Sequence, residues 1–163
     1  MNDMLYTHLE SPIGPLLLCG DEHRLTGLYT APGCHDSPLA RDARRAEAPF
    51  ARVRDELEEY FAGERLKFDI PLGMDGASPF FQSVWAKLLE IPYGATTTYG
   101  ELARELGRPS AARAVGLANG RNPIAIIVPC HRVVGAGGDL TGYAGGLDRK
   151  RFLLEHEAAL VKA

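Results

Sequence analysis

The two halves of the chain follow different hydrophobic patterns, and this restricts it to a two-part architecture. In the first half apolar residues fall in short β-type runs, Met4–Leu9, Pro15–Cys19 and Leu25–Tyr29, separated by Ser-Pro, Gly-Pro and Gly-Asp-Glu turn signals. A loop over residues 30–49, rich in Pro, Gly, Arg and Ala, leads to one helical repeat, Phe50, Val53, Leu57 and Phe61, that Gly63 can stop. Lys67–Leu72 reads as a further short strand, and Gly73-Met74-Asp75-Gly76-Ala77 as a linker. Beyond it the pattern is helical in short pieces. Ser78-Pro79 offers an N-cap with Pro at the first helical position, before a stripe of Phe81, Trp85, Leu88 and Leu89. Thr98-Tyr99-Gly100-Glu101 has the form of a capping box, and Gly107-Arg108-Pro109 is a turn. Ser110 is placed to cap a third helix running to Asn119, which gives helix-turn-helix spacing. The expected domains are 1–76 and 77–163.

The second half also holds the most strand-like segment, Ile124–Val128, and it runs straight into Pro129-Cys130-His131-Arg132. A thiol, an imidazole and a guanidinium are costly to bury unless something satisfies or uses them. A lone cysteine is most often inert core. Here Pro129 interrupts strand pairing, and His131 and Arg132 provide a positive neighbourhood that favours thiolate. Adjacent side chains of a strand point to opposite faces, so a relay through water joins Cys130 to His131 more easily than direct contact. Glu157 can project inward with Leu153 and Leu154 or lie in solvent at a helix end. Asn122, before Pro123, reads as a turn residue, and Tyr99 as core.

Charge separates the halves again. Residues 1–78 hold 8 Lys/Arg against 14 Asp/Glu, and residues 79–163 hold 10 against 7. No carboxylate occurs from Leu106 to Gly138, a window with Arg108, Arg113, Arg121 and Arg132. Such a surface can face a polyanion, and it can equally be an ordinary solvated face. On the third helix Arg113 is the one long polar side chain amid Ala111, Ala112, Ala114 and Gly116. Small residues there permit close packing on another helix, or close approach to a narrow groove of DNA.

Other classes are disfavoured. No apolar stretch is long enough for a membrane span, and the first residues lack a basic-then-apolar signal. With three cysteines, an odd number, these features point to a reducing, cytoplasmic setting. Cys19, His23, Cys34 and His35 match no zinc spacing, so no metal or other cofactor is expected.

These motifs together resemble one family, the O6-alkylguanine-DNA alkyltransferases. The resemblance covers Ile91-Pro92-Tyr93-Gly94, Thr98–Ala103, Ala111–Gly116, Asn122-Pro123, Pro129–Val133, Thr141-Gly142-Tyr143 and Leu153–Glu157, with Ser11-Pro12-Ile13-Gly14 near the start. It implies an α/β fold with a ribonuclease-H-like N-terminal domain and a winged helix-turn-helix-like C-terminal domain. It implies single-turnover transfer of an alkyl group from O6 of guanine, and from O4 of thymine, in double-stranded DNA onto Cys130. By the same likeness His131 takes the thiol proton through a water, Glu157 orients His131, Asn122 supports the turn, and Tyr99 serves the leaving guanine. Arg113, Ala114, Gly116, Ser110 and Thr98 are implied as DNA contacts through the minor groove, with Arg113 filling the space of a flipped nucleotide. Tyr143, Ala144 and Val133 are implied as the substrate pocket. Ala144 stands where some relatives carry a hydroxyl, leaving its backbone N–H for the O6 contact. The expected species is a monomer, with cooperative binding along DNA left open. A winged-helix lesion reader with an incidental cysteine, and a Cys-His hydrolase, are the alternatives.

Overall fold

The structure, a computed structural model, describes residues 4–30 and 43–162. It separates into two compact units, the first ending at Met74 and the second beginning at Asp75. Cys34 and His35 lie outside the described residues, as does most of the expected 30–49 loop.

In the first unit β1 (Leu5–Leu9), β2 (Leu16–Gly20) and β3 (Leu25–Thr30) pair antiparallel in sequence order. A two-residue β4 (Arg44–Arg45) adds to β1 in parallel, so the sheet order is β3-β2-β1-β4. The β1–β2 turn is held by Ser11, whose hydroxyl donates to the Gly14 carbonyl at 2.6 Å. All five residues of β2 are buried, as expected for a central strand whose apolar residues run continuously instead of alternating. Helix α1 (Ala51–Phe61) buries Val53, Leu57 and Tyr60, and full burial of a residue such as Leu57 stabilises by about 1.5–3 kcal/mol. Cys19 belongs to this core, packed with Leu17, Met4, Tyr6 and Tyr29.

Lys67–Leu72 is not a strand. Its one sheet contact is an isolated bridge from Leu72 to Leu25. Pro71 has no N–H to donate, so pairing cannot propagate past it.

The second unit follows the expected helical order. Ser78 caps α2 (Pro79–Leu88), its Oγ accepting from the Phe81 N–H at 3.2 Å. The buried stripe of α2 includes Val84, Trp85 and Leu88, while Leu89 is 45% exposed. Thr98 caps α3 (Tyr99–Glu105) through the Glu101 N–H at 3.1 Å. Helix α4 (Ala112–Gly120) packs on both α3 and α2, and the Trp85 indole donates to the Ala118 carbonyl at 2.9 Å. Ser110 does not cap α4: the N-cap is Ala111, whose N–H closes a turn onto the Arg108 carbonyl at 2.9 Å. A small parallel pair, β5 (Thr97–Thr98) with β6 (Val133–Val134), and the long α5 (Leu147–Lys162) complete the unit. The expected α/β class and helix-turn-helix-like arrangement are present.

Candidate active site

The segment Ile124–Val128 is a buried coil, not a strand. Asn122 explains why. Its Nδ2 donates to the carbonyls of Val128 at 2.8 Å and Ile124 at 3.3 Å, and its Oδ1 accepts from the Ile124 N–H at 3.0 Å. One amide side chain therefore satisfies backbone groups that a neighbouring strand would otherwise have to pair. Ile126 sits at φ 70°, a left-handed conformation that a β-branched residue adopts only at a cost of order 1–3 kcal/mol. Pro129, at φ −82° and ψ 64°, forms an inverse γ-turn in which the Cys130 N–H reaches the Val128 carbonyl at 2.8 Å. The chain then enters a 3₁₀ turn, Cys130–Arg132, before β6. The apolar run thus folds into a rigid turn that presents Cys130. Asn122→Ala is expected to lower the unfolding free energy by about 1–3 kcal/mol, because it leaves the Ile124 N–H without its acceptor and the Val128 carbonyl with the Cys130 N–H alone. Denaturant unfolding measures this directly.

Cys130 is 6% exposed. Burial pushes its thiol above the ordinary value, opposed by a hydrogen bond from Asn122 and by the positive charge of Lys150. The expected positive field of Arg132 is directed elsewhere. Arg132 grips Glu157 with a two-pronged contact, Nε to Oε1 at 2.8 Å and a terminal nitrogen to Oε2 at 3.0 Å, and donates to the Ile91 carbonyl at 2.7 Å. Its guanidinium also stacks 5.6 Å from the Tyr93 ring centre.

His131 is fully buried, and its Nε2 lies 2.7 Å from Glu157 Oε2. A carboxylate can only accept, so Nε2 carries the hydrogen and Nδ1 holds the basic lone pair. Nδ1 has no hydrogen-bond partner among the described residues. Burial lowers the affinity of His131 for a proton, although Glu157 opposes this, so the resting pair is neutral thiol and neutral imidazole. Burial would raise the Glu157 carboxyl, but hydrogen bonds from His131 and Arg132 outweigh it and hold the group well below the usual carboxylate range. The Gly94 N–H reaches Glu157 Oε1 at 3.4 Å. Gly94 is required there: its φ is 79°, and an added Cβ would lie 2.2 Å from Val161 of α5.

The structure also places the other expected site residues. Tyr99 donates from its hydroxyl to the Thr141 carbonyl at 3.1 Å. The Tyr143 hydroxyl is buried without a hydrogen-bond partner among the described residues; burial raises its pKa well above the phenol value, and Cys130 adds to that. Ala144 is exposed, while Val133 is fully buried in β6, paired with Thr97. On α4, Arg113 and Ala114 are exposed together with Leu117 and Gly120, as is Arg121 just past its C-terminal end. Gly116 turns inward instead, with the Tyr99 ring 3.7 Å from where its Cβ would stand. Ser110 is exposed in the turn and Thr98 is half-buried at the start of α3. Two contributors escaped the sequence reading. Asn119, 2% exposed, donates to the Cys130 carbonyl at 3.3 Å, and Lys150, fully buried, donates to the Thr141 carbonyl at 2.6 Å.

Comparison with known proteins places this geometry. Residues 79–159 match the family model described as 6-O-methylguanine DNA methyltransferase, DNA binding domain, and residues 4–74 match the ribonuclease-like domain of the same proteins. A Methanosarcina acetivorans methylated-DNA–protein-cysteine methyltransferase is 53% identical, the alignment covering 96% of this chain and 99% of that protein. The chain belongs to the 6-O-methylguanine DNA methyltransferase family. The Mycobacterium tuberculosis protein of the same name is 51% identical over 97% of this chain and 94% of its own length. The crystal structure of Mycobacterium tuberculosis OGT in complex with DNA superposes with a TM-score of 0.89, at 51% identity, over 96% of this chain and 94% of that one. A more distant relative, the O6-methylguanine-DNA methyltransferase of Pyrococcus kodakaraensis, reaches 0.66 at 27% identity, covering 94% of this chain and 98% of its own.

Proposed function

We infer that the protein repairs DNA by moving an alkyl group from O6 of guanine onto Cys130, in a single irreversible turnover. The observation that carries this reading is the buried Cys130, His131 and Glu157 set, held by a turn in the same unit as a helix-turn-helix whose second helix, α4, carries no carboxylate. In the step itself the Cys130 sulfur forms a bond to the alkyl carbon as the bond from that carbon to O6 breaks. The electron pair stays on the guanine. The thiol proton passes through a water to Nδ1 of His131, and the resulting imidazolium is stabilised by Glu157, the base-and-orienter arrangement of covalent catalysis. Arg132 keeps Glu157 ionised and fixed while this happens. Tyr99 exchanges its bond to the Thr141 carbonyl for one to the departing base, and the Ala144 N–H faces O6. The product is a thioether, which cannot be reversed by any group in the site, so the protein is spent.

The target atom is inaccessible inside a stacked duplex, so the nucleotide leaves the helix. Arg113, exposed on α4 beside Ala114, is the side chain suited to hold the vacated space, and the small residues around it suit the minor groove. Neutralising phosphates adds sequence-independent affinity that falls with salt. Arg113→Ala is therefore expected to slow repair of O6-methylguanine in duplex DNA by at least about tenfold, since flipping costs a few kcal/mol. Reaction with free O6-benzylguanine, which needs no flipping, should stay within about twofold of native. Single-turnover rates on both substrates test this. Equal losses would place Arg113 in the pocket or the fold instead.

A further inference from the structure

Lys150 is the unexplained charge of the second unit. Lysine is almost never fully buried without a partner of opposite charge. Here the side chain is fully buried on α5, and its ammonium has one hydrogen bond, to the Thr141 carbonyl at 2.6 Å. No carboxylate pairs with it among the described residues. The one buried acid nearby, Glu157, is already committed to Arg132 and His131. A backbone carbonyl satisfies one donor but does not balance a charge.

The groups around this ammonium are few. Helix α5 itself brings Arg149, whose guanidinium bonds the Gly145 carbonyl at 2.9 Å, and Glu157. The 3₁₀ turn that packs on α5 brings Cys130, His131 and Arg132. The 141–144 segment brings Tyr143, and α3 brings Tyr99, whose hydroxyl shares the Thr141 carbonyl with Lys150. Glu157 is held by Arg132 and His131, so no carboxylate is left to pair with Lys150, and a thiolate at Cys130 is the negative charge this site can form near it.

We propose that Lys150 is the counter-ion of the Cys130 thiolate, a positioning residue that stabilises the attacking charge through space without touching the substrate. This rests on the reading of Cys130 as the alkyl acceptor. It completes that reading: the imidazolium formed when His131 takes the thiol proton is paired with Glu157, and Lys150 adds a positive charge that no carboxylate claims. The electrostatics of the pair fit this placement, with α5 packed on the Cys130–Arg132 turn. Burial raises the Cys130 thiol while Lys150 opposes the rise, and burial lowers the Lys150 ammonium while Cys130 opposes the fall. During transfer Lys150 keeps its proton. The thiol proton goes to His131, and the electron pair of the broken carbon–oxygen bond goes to the guanine.

Lys150→Gln separates charge from hydrogen bonding, since the amide can still donate to Thr141. Lys150→Met removes both, and the Thr141 carbonyl then keeps Tyr99 as its donor, so the fold has little to lose. Circular dichroism checks both. Two readouts follow: the ultraviolet titration of the Cys130 thiolate, taken as the difference from a Cys130→Ser protein carrying the same change, and the single-turnover rate with free O6-benzylguanine against pH. Both variants should ionise Cys130 about one unit higher than native or more, a loss of about tenfold at neutral pH that is recovered at high pH. Lys150→Arg, which restores the charge, should lie nearer to native than Gln does. A native titration curve in Lys150→Gln overturns the proposal, and so does a rate loss of equal size at every pH. The titration needs no alkyl donor. A shifted titration in a protein that never acquires a benzyl group on Cys130 would therefore overturn the transfer reading and leave the ion pair standing.

Discussion

Cys130→Ser is expected to abolish alkyl transfer while leaving affinity for duplex DNA within about twofold of native. The substitution is nearly isosteric, and the serine hydroxyl can keep the hydrogen bond from Asn122 that the thiol receives. What it cannot do is ionise. A thiol with an ordinary pKa of about 8.5 is within reach of a neighbouring imidazole, whereas an alcohol is not. Nor can another described cysteine substitute. Cys19 is in the core of the first unit, and burial pushes its thiol up to about 11. Label transfer from alkylated DNA and a binding titration, run on the same preparation, read the two halves of this expectation. Residual transfer by the serine variant would move the acceptor elsewhere.

Glu157→Ala carries the largest expected effect on stability, a loss of about 3–5 kcal/mol. The carboxylate is 1% exposed and binds both His131 and Arg132, so its removal leaves a buried guanidinium unpaired. Glu157→Gln should be milder, because the amide oxygen still accepts while the charge is lost. The same group sets the response to acid. Its folded carboxyl lies well below the unfolded value of about 4.3, so its stabilisation is complete above that value and is lost as pH falls toward the folded one. His131 acts earlier. Buried and held neutral, it takes up its proton more readily when unfolded, so stability begins to fall below about pH 6.5. Denaturation midpoints of the native protein should therefore decline in two stages on acidification. In Glu157→Gln the lower stage should disappear. An unchanged acid limb in that variant would remove Glu157 as its cause. At neutral pH the folded Gln variant should also transfer more slowly, since the imidazolium loses its charged orienter.

Much of this site can be read in the sequence because the chemistry-bearing residues are locally encoded. Thr98 and Ser78 cap the helices their spacing announces. Glu157 falls on the inward face with Leu153, three and four residues being one helical turn. The same face continued back one turn reaches Lys150, so its burial was signalled at positions 150, 153 and 157, yet a lysine is ordinarily read as solvated. The strand reading of Ile124–Val128 failed for a different reason. A short apolar run reports burial, and burial is shared by strands and by turns whose backbone is satisfied from a side chain. Asn122 supplies that satisfaction, and nothing in the residues 124–128 themselves reveals it. Arg132 was read as an electropositive neighbour of the thiol, but its fork is spent on Glu157, a partner 25 residues away in sequence that only the packing of α5 brings near. Gly116 shows the same limit. Small size on α4 marks close approach, and the structure shows the approach to be that of the Tyr99 ring.

The most direct test is the mass of the protein after one encounter with its substrate. Purified protein is incubated with an equimolar duplex carrying a single O6-methylguanine, then weighed intact and mapped by proteolysis. One methyl mass should appear per protein molecule, confined to the peptide containing Cys130, and a second addition of methylated duplex should leave both the mass and the new DNA unchanged. A methyl group on Cys19 or Cys34, continued repair by protein that has already reacted, or restored guanine with no gain of mass would each contradict it.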